Sequence, residues 1–205
     1  MNLLTRLTIA LAAAAVAAPA MAQLGTDGEK FVNMVRDGDS AGALALLESK
    51  PIIVDAIDMR GETALIAAIK NRDSGWTGHL LKAGADPNLA ARNGDTPLIL
   101  AARGGFSEAA RWLIGVGAKV DGHNRRGETA LIAAVQERHA ALVRLLLSAG
   151  ADPDRTDSAA GLSARDYAKR DTRFPELLTA IEAAPRGAAK PARPASDKLD
   201  DFKLD

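Results

Sequence analysis

Cysteine is absent from the 205-residue chain, and aromatic residues make up only 3% of it. Without cysteine the chain has no disulfides, no thiolate nucleophile, no cysteine-ligated metal and no lipidated N-terminal cysteine. The scarcity of aromatic residues disfavours a β-sandwich core, because strands are enriched in aromatic and β-branched side chains. An alanine-rich chain is better suited to small, closely packed helices, so the composition predicts an all-α fold.

An excess of either charge is also lacking, because 26 Lys and Arg balance 26 Asp and Glu. We therefore expect no general attraction to nucleic acid or to an anionic membrane. The histidines, His79, His123 and His139, do not have the spacing of a zinc motif, and no Gly-x-Ser-x-Gly nucleophile motif is present. We expect no catalytic residues, no metal and no cofactor.

Residues 1–22 have the pattern of a secretory signal peptide. Arg6 provides a basic region, residues 7–18 form an apolar run, and Ala20 and Ala22 are the small residues that a signal peptidase recognises. The apolar run is too short to span about 30 Å of hydrocarbon. We therefore expect export to the periplasm, with no stable membrane anchor after cleavage, and release from the cell is the alternative.

A motif recurs in the chain with a period of 33 residues. The sequence GETALIAA begins at Gly61, GDTPLILAA begins at Gly94, and GETALIAA begins again at Gly127. A Gly-Ala pair keeps the same register at Gly84, Gly117 and Gly150, and weaker starts occur at Gly28 and Gly161. A fixed period of this length indicates stacked repeats, of which five fit the chain.

The period and the motif resemble the ankyrin repeat, whose signature is Thr-Pro-Leu-His-x-Ala. The resemblance implies an all-α solenoid of stacked helix-turn-helix units with protruding β-turn or hairpin loops, in residues 23–184. The expected units are about 27–57, 58–90, 91–123, 124–157 and 158–184, followed by a disordered tail at 185–205. Isoleucine replaces the signature histidine at residues 66, 99 and 132, so we expect apolar packing in place of the family's hydrogen bonds there.

Individual residues agree with this interpretation. A Thr or Ser after each motif glycine is expected to cap the first helix of its unit, and the glycines at the turns suit positive φ. In the first unit, Phe31, Val35, Leu44 and Leu47 are expected to form one buried side. Trp76 aligns with Leu142 and Trp112 with Leu145. Because both tryptophans replace apolar repeat positions, core packing is favoured over partner contact.

The resemblance implies a protein-binding adaptor, scaffold or regulator that uses its concave face and protruding turns. The alternatives are an enzyme or small-ligand-binding protein with an unrecognised site, and a secreted effector that binds a host protein. We expect a monomer. Register places these residues toward a partner: Ile57, Met59, Arg60, Lys70, Asn71, Arg92, Asn93, Leu100, Arg103, His123, Arg125, Arg126, Gln136, Glu137 and Arg155. The set is mostly basic, which favours an acidic partner surface, and ordinary solvated side chains are the alternative.

The predicted cleavage site fixes the N-terminus of the exported protein. We expect N-terminal sequencing of protein from a periplasmic extract to begin at Gln23, because Ala20 and Ala22 occupy the recognised positions. A variant with Ala20→Lys and Ala22→Lys should keep the precursor length. A wild-type sequence that begins at Met1 would contradict cleavage.

Overall fold

The computed structural model describes residues 27–49 and 54–184. The predicted signal peptide at 1–22 and the predicted tail at 185–205 lie outside the described residues. Within them the chain forms ten helices, arranged as five consecutive helix-turn-helix pairs. The pairs are α1 (27–37) with α2 (Ser40–Ser49), α3 (Ala64–Lys70) with α4 (Ser74–Lys82), α5 (Pro97–Arg103) with α6 (Ser107–Gly115), α7 (Ala130–Gln136) with α8 (Ala140–Ser148), and α9 (Ala164–Arg170) with α10 (Pro175–Ala183).

The pairs stack in one direction along the molecule. The first helices α3, α5, α7 and α9 pack against one another in that order, and the second helices α4, α6, α8 and α10 do the same. The described part of the chain contains no strand, but isolated antiparallel bridges close three of the loops between pairs, namely Ile57 with Thr63, His123 with Thr129 and Thr156 with Ser163. No helix in the described ranges is long and apolar enough to cross a membrane.

Hydroxyl caps begin the first helices, as the motif predicts. In α3, α5 and α7 a threonine Oγ1 accepts a hydrogen bond of 3.2–3.3 Å from the backbone N–H three residues later. These pairs are Thr63 with Ile66, Thr96 with Ile99 and Thr129 with Ile132. Ser163 and Asp166 form a reciprocal capping box at the start of α9. Because such a cap contributes about 1 kcal/mol, each copy of the motif favours a helix that begins at the same place.

The motif glycines allow consecutive turns to approach closely. Gly94 has φ of 86°, and a Cβ atom placed there would lie 2.8 Å from the backbone nitrogen of Arg125 in the next turn. At Gly127, φ is 72° and a Cβ would lie 2.9 Å from the nitrogen of Ser158. Glycine is therefore required at these positions both for the left-handed backbone and for turn-to-turn packing.

Apolar side chains fill the space between units. The isoleucines at the histidine position of the signature, Ile66, Ile99 and Ile132, are all fully buried, so the expected apolar packing is confirmed. Alanines beside them let neighbouring helices come close, as at Ala101 and Ala102, which are also fully buried. A seven-residue helix is too short to be stable alone, so this burial between units supplies the stability of the first helices.

The first unit differs from the sequence-based expectation at one residue. Phe31 and Val35 are buried and Leu47 packs partly against the core, but Leu44 is 45% exposed, so its predicted burial is wrong. No unit precedes this one among the described residues, and α2 therefore has a solvent-facing side. Trp76 is buried as predicted, and its Nε1–H donates to the hydroxyl of Ser40 at 2.9 Å.

The buried isoleucines give a direct test of stacking. We expect Ile99→Ala to reduce the free energy of unfolding by about 2–5 kcal/mol, because it opens a cavity between units. Leu100→Ala, on the half-buried neighbouring position, is the matched control and should cost about 1 kcal/mol or less. Urea denaturation measures both, and equal losses for the two variants would contradict the assignment.

Candidate functional site: the row of protruding turns

Four turns protrude before the first helices of units two to five, and we call residues 57–61, 90–94, 123–127 and 156–161 the turn row. Three of them are closed by the side chain of a buried Asp or Asn at an equivalent position. Asp58 Oδ1 accepts from the backbone N–H groups of Arg60 and Glu62 at 3.0 and 2.9 Å. Asn124 and Asp157 make equivalent contacts in their own turns. These internal hydrogen bonds fix the shape of each turn.

The second turn is built differently. Ala91 stands where the other turns have Asp or Asn, so no side chain closes the turn from that position. Asn93 Oδ1 instead accepts from the backbone N–H of Asp95 at 3.0 Å, and the amide of Asn93 donates to the Asp95 carboxylate at 2.7 Å. Asn93, a predicted partner residue, therefore also has a structural role.

A lattice of buried carboxylates and guanidinium groups lies behind the turns. Arg103 donates to Asp95 at 2.8 Å and to Glu128, in the next unit, at 2.9 Å. Asn124 donates to the same two carboxylates at 2.7 and 3.0 Å. Asp95 and Glu128 are only 2% and 5% exposed, so these donors replace the water that burial removes from the two carboxylates.

The same type of contact links the first two units. Arg36 of α1 forms ion pairs with Asp58 and Glu62, and Lys70 forms an ion pair with Glu62. Asn71 donates to the backbone carbonyl of Arg36 at 2.7 Å. The positive charges that the sequence places on the first helices are therefore largely matched by carboxylates of the protein itself.

These contacts shift the pKa values of the buried carboxyls. Burial alone would raise the pKa of Asp95, but the hydrogen bonds from Arg103 and Asn124 outweigh it and lower the pKa. Burial would likewise raise the pKa of Asp58, but the backbone N–H donors of its turn and the Arg36 guanidinium outweigh it and lower the pKa. The pKa of Asp157 is lowered too, with the Tyr167 hydroxyl donating to it at 2.6 Å. All three therefore stay ionised at neutral pH.

The predicted partner residues divide into those that contact the rest of the protein and those at the tips of the turns. All except the half-buried Leu100 and Arg103 are exposed. Lys70, Arg103 and Arg126 form ion pairs with internal carboxylates, although the Arg126 side chain remains 68% exposed. The Arg92 guanidinium donates to the Met59 carbonyl at 2.8 Å and thereby joins the first turn to the second.

The tips of the turns form the other group. Ile57 is 53% exposed and Met59 is 81% exposed, which places an apolar pair at one end of the row. Arg60, Arg125 and His123 are also exposed on the tips. His123 and Arg155 line a shallow cleft of about 530 Å³ between turns, together with Asn88, Lys119 and Asp121.

Sequence reasoning missed the carboxylate lattice. Asp95 and Glu128 follow motif glycines and precede the capping threonines, so their equivalent positions were visible as part of the repeat. Their pairing with Arg103 was not visible, because Arg103 lies 8 residues from Asp95 in the same unit and 25 residues from Glu128 in the next unit. In the described ranges, no group of three or more His, Cys, Asp or Glu side chains is arranged to hold a metal ion.

Comparison with known families gives two matches, both described as ankyrin repeats. One, described as three copies, covers residues 76–157, and the other, described as many copies, covers residues 46–101. Together they span residues 46–157, which is more than half of the chain. A search of curated proteins finds no match. The predicted all-α repeat solenoid and its predicted family are confirmed by these matches and by the stacked helix pairs.

The lowered pKa of Asp95 predicts a pH dependence of stability. A carboxyl with a lowered folded-state pKa contributes stability above its unfolded pKa and loses it as the pH falls through the folded value. We expect the free energy of unfolding to decrease as the pH falls below about 4, the usual pKa of Asp. Asp95→Asn should lower stability at neutral pH by roughly 1–3 kcal/mol and weaken this dependence.

Urea denaturation at several pH values measures both effects. Leu100→Ala is the control, since Leu100 lies on α5, which begins two residues after Asp95, and the substitution changes no ionisable group. If Asp95→Asn were to show the same pH dependence as the wild type, the assigned role of this carboxylate would be wrong.

Proposed function

The chain belongs to the ankyrin-repeat family, and we propose that it is a periplasmic protein-binding module whose turn row contacts an acidic partner. Ankyrin repeats generally mediate protein–protein interaction and are typically not enzymes. The proposal accordingly assigns binding, and not catalysis, to the chain. Through such binding the protein acts as an adaptor or regulator. We propose that it binds its partner as a monomer.

One observation carries the proposal: the turns direct their acidic groups inward and their basic groups outward. Asp58, Glu128 and Asp157 are buried, and their carboxylates accept hydrogen bonds from groups of the protein itself. Arg60 and Arg125 are exposed at the tips. A chain with balanced total charge therefore has a positive edge along the turn row. An arginine fork binds carboxylates through two hydrogen bonds, so this edge fits an acidic surface.

An apolar pair lies at one end of the turn row, so the two ends of the positive edge differ. Ile57 and Met59 are adjacent on the first turn, and their exposure is high for large apolar side chains. Methionine and other apolar anchors are enriched at the centres of protein interfaces, where they supply affinity while charged rims supply specificity. We expect a partner that places an apolar side chain against this pair and carboxylates against the following turns.

Periplasmic action rests on the signal-peptide pattern of residues 1–22. Arg6, the apolar run and the two small residues before Gln23 support it. The partner is accordingly expected among periplasmic proteins or the periplasmic domains of membrane proteins.

Charge reversal on the tips tests the proposed surface. This protein is immobilised and exposed to periplasmic extract, and the proteins that it retains are identified by mass spectrometry. The affinity of this protein for the purified partner is then measured. We expect Arg60→Glu with Arg125→Glu to weaken binding about tenfold, because each reversed exposed charge changes the affinity by roughly 0.5–1 kcal/mol.

A matched control uses two exposed arginines on the second helices. Arg111→Glu with Arg144→Glu makes the same change of charge on α6 and α8, away from the turn row. It should leave the affinity unchanged. Equal binding by wild type and turn variant, or equal weakening by both variants, would contradict the proposed surface.

A further inference from the structure

A second concave feature lies between the last two units, at the opposite end of the first helices from the turns. It is a pocket of about 430 Å³ formed by the ends of α7 and α9 and the residues that follow them. The lining consists of Val135, Gln136, Arg138, Tyr167, Arg170, Asp171, Thr172 and Arg173. Its volume is within the range of pockets that hold small molecules.

The loop that completes this pocket departs from the repeat. In the three inner units, three residues separate the first helix from the second, as at 71–73, 104–106 and 137–139. In the last unit four residues, 171–174, fill the same place between α9 and α10. The longer loop adds a residue to the rim of the pocket. Thr172 and Arg173 of this loop line the pocket together with Arg138 of the preceding unit. The pocket is therefore specific to the last pair of units.

The guanidinium groups of the pocket are already arranged around a carboxylate. Arg138 Nε donates to Asp171 at 2.6 Å, and Arg173 Nε donates to the other oxygen of the same carboxylate at 3.3 Å. The Arg138 guanidinium also lies 4.9 Å from the centroid of the Phe174 ring, which fixes its orientation. Two planar donors from two different units thus meet at one oxyanion.

The charges of the pocket do not balance. Arg138, Arg170 and Arg173 contribute three positive charges and Asp171 contributes one negative charge, so the lining carries an excess of two. Arg173 keeps a side chain 71% exposed, and Arg170 is exposed as well. Among the described residues, Arg173 donates a side-chain hydrogen bond only through Nε and Arg170 donates none, so both keep N–H donors for a ligand.

The backbone of Arg138 is left-handed, with φ of 61°, and Arg72, at the equivalent position two units earlier, has φ of 56°. The Arg72 guanidinium likewise lies over a phenylalanine of the following unit, 6.0 Å from the centroid of Phe106. The backbone and the aromatic contact of Arg138 are therefore features of the repeat. The four-residue loop, which places Arg173 beside Arg138, is what distinguishes the last pair of units.

We propose that this pocket binds a small anionic ligand with at least two oxyanion groups, held by Arg138, Arg170 and Arg173. Carboxylate and phosphate share the chemistry that an arginine fork recognises, namely two acceptor oxygens on a compact anionic group. Such a ligand neutralises the excess charge and links the fourth unit to the fifth. It binds away from the turn row and does not depend on the proposed protein partner.

Polar contacts connect the floor of the pocket to the last turn. The Tyr167 hydroxyl, in the lining of the pocket, donates to Asp157 at 2.6 Å. Asp157 closes the last turn through the backbone N–H groups of Ala160 and Gly161. Tyr167 therefore links the lining of the pocket to the turn row through one hydrogen bond.

Titration calorimetry of the full chain at low ionic strength tests the site, with citrate and inorganic phosphate as the two probes and sodium chloride as the ionic-strength control. We expect citrate, phosphate or both to bind at a single site. Arg170→Gln with Arg173→Gln should weaken that binding at least about tenfold, since the variant removes two charged hydrogen-bond donors from the site. Arg111→Gln with Arg144→Gln, the matched control on the second helices, should bind as the wild type does.

The ratio of the two affinities distinguishes a carboxylate site from a phosphate site. Amide chemical shifts of the wild type locate the binding independently of any variant, and we expect the largest shifts at residues 138 and 170–173. The proposal is overturned if neither probe binds, if both double variants bind equally, or if the shifts lie elsewhere. It is also overturned if a probe binds only after residues 197–205, which carry four aspartates, are deleted, because the pocket would then serve the chain's own acidic segment.

Discussion

Burial of apolar surface between neighbouring units is the constraint on which the rest of the structure depends. Each first helix from α3 to α9 has only seven residues, about two turns, and has no stability of its own. Ile66, Ile99 and Ile132 on these short helices are completely buried in the stack. The repeat period keeps these side chains aligned, and the alanines beside them keep the units close. The surface that stacking leaves exposed is available to bind a partner.

The second constraint is that buried carboxylates need donors. Stacking brings Asp95 and Glu128 out of water, and Arg103 with Asn124 keeps both of them paired across the boundary between two units. Some of the acidic side chains are thereby buried, while Arg60 and Arg125 remain exposed to solvent. The charge of the turn row is thus a consequence of folding and does not appear in the net charge of the chain. The proposed acidic partner follows from this separation.

Local and periodic features of the fold were predictable from the sequence. The threonine caps, the left-handed glycines and the buried isoleucines follow from physical rules that act within one unit and repeat at a fixed spacing. The exposure of Leu44 was not predictable in this way, because it depends on whether another unit covers α2. The pocket at Arg138 was missed for a related reason. Its guanidinium groups come from two units and a loop one residue longer than the repeat.

Native-state hydrogen exchange tests the central claim, mutual burial of the units, most directly. If stacking supplies the stability, the backbone amides of α5 and α7, which are covered on both sides, should exchange slowest and at the rate of global unfolding. The amides of α1 and α10 should exchange faster, because each of these helices has a neighbouring unit on one side only within the described chain. Equal protection of end and central helices, or slower exchange at the ends, would contradict the account.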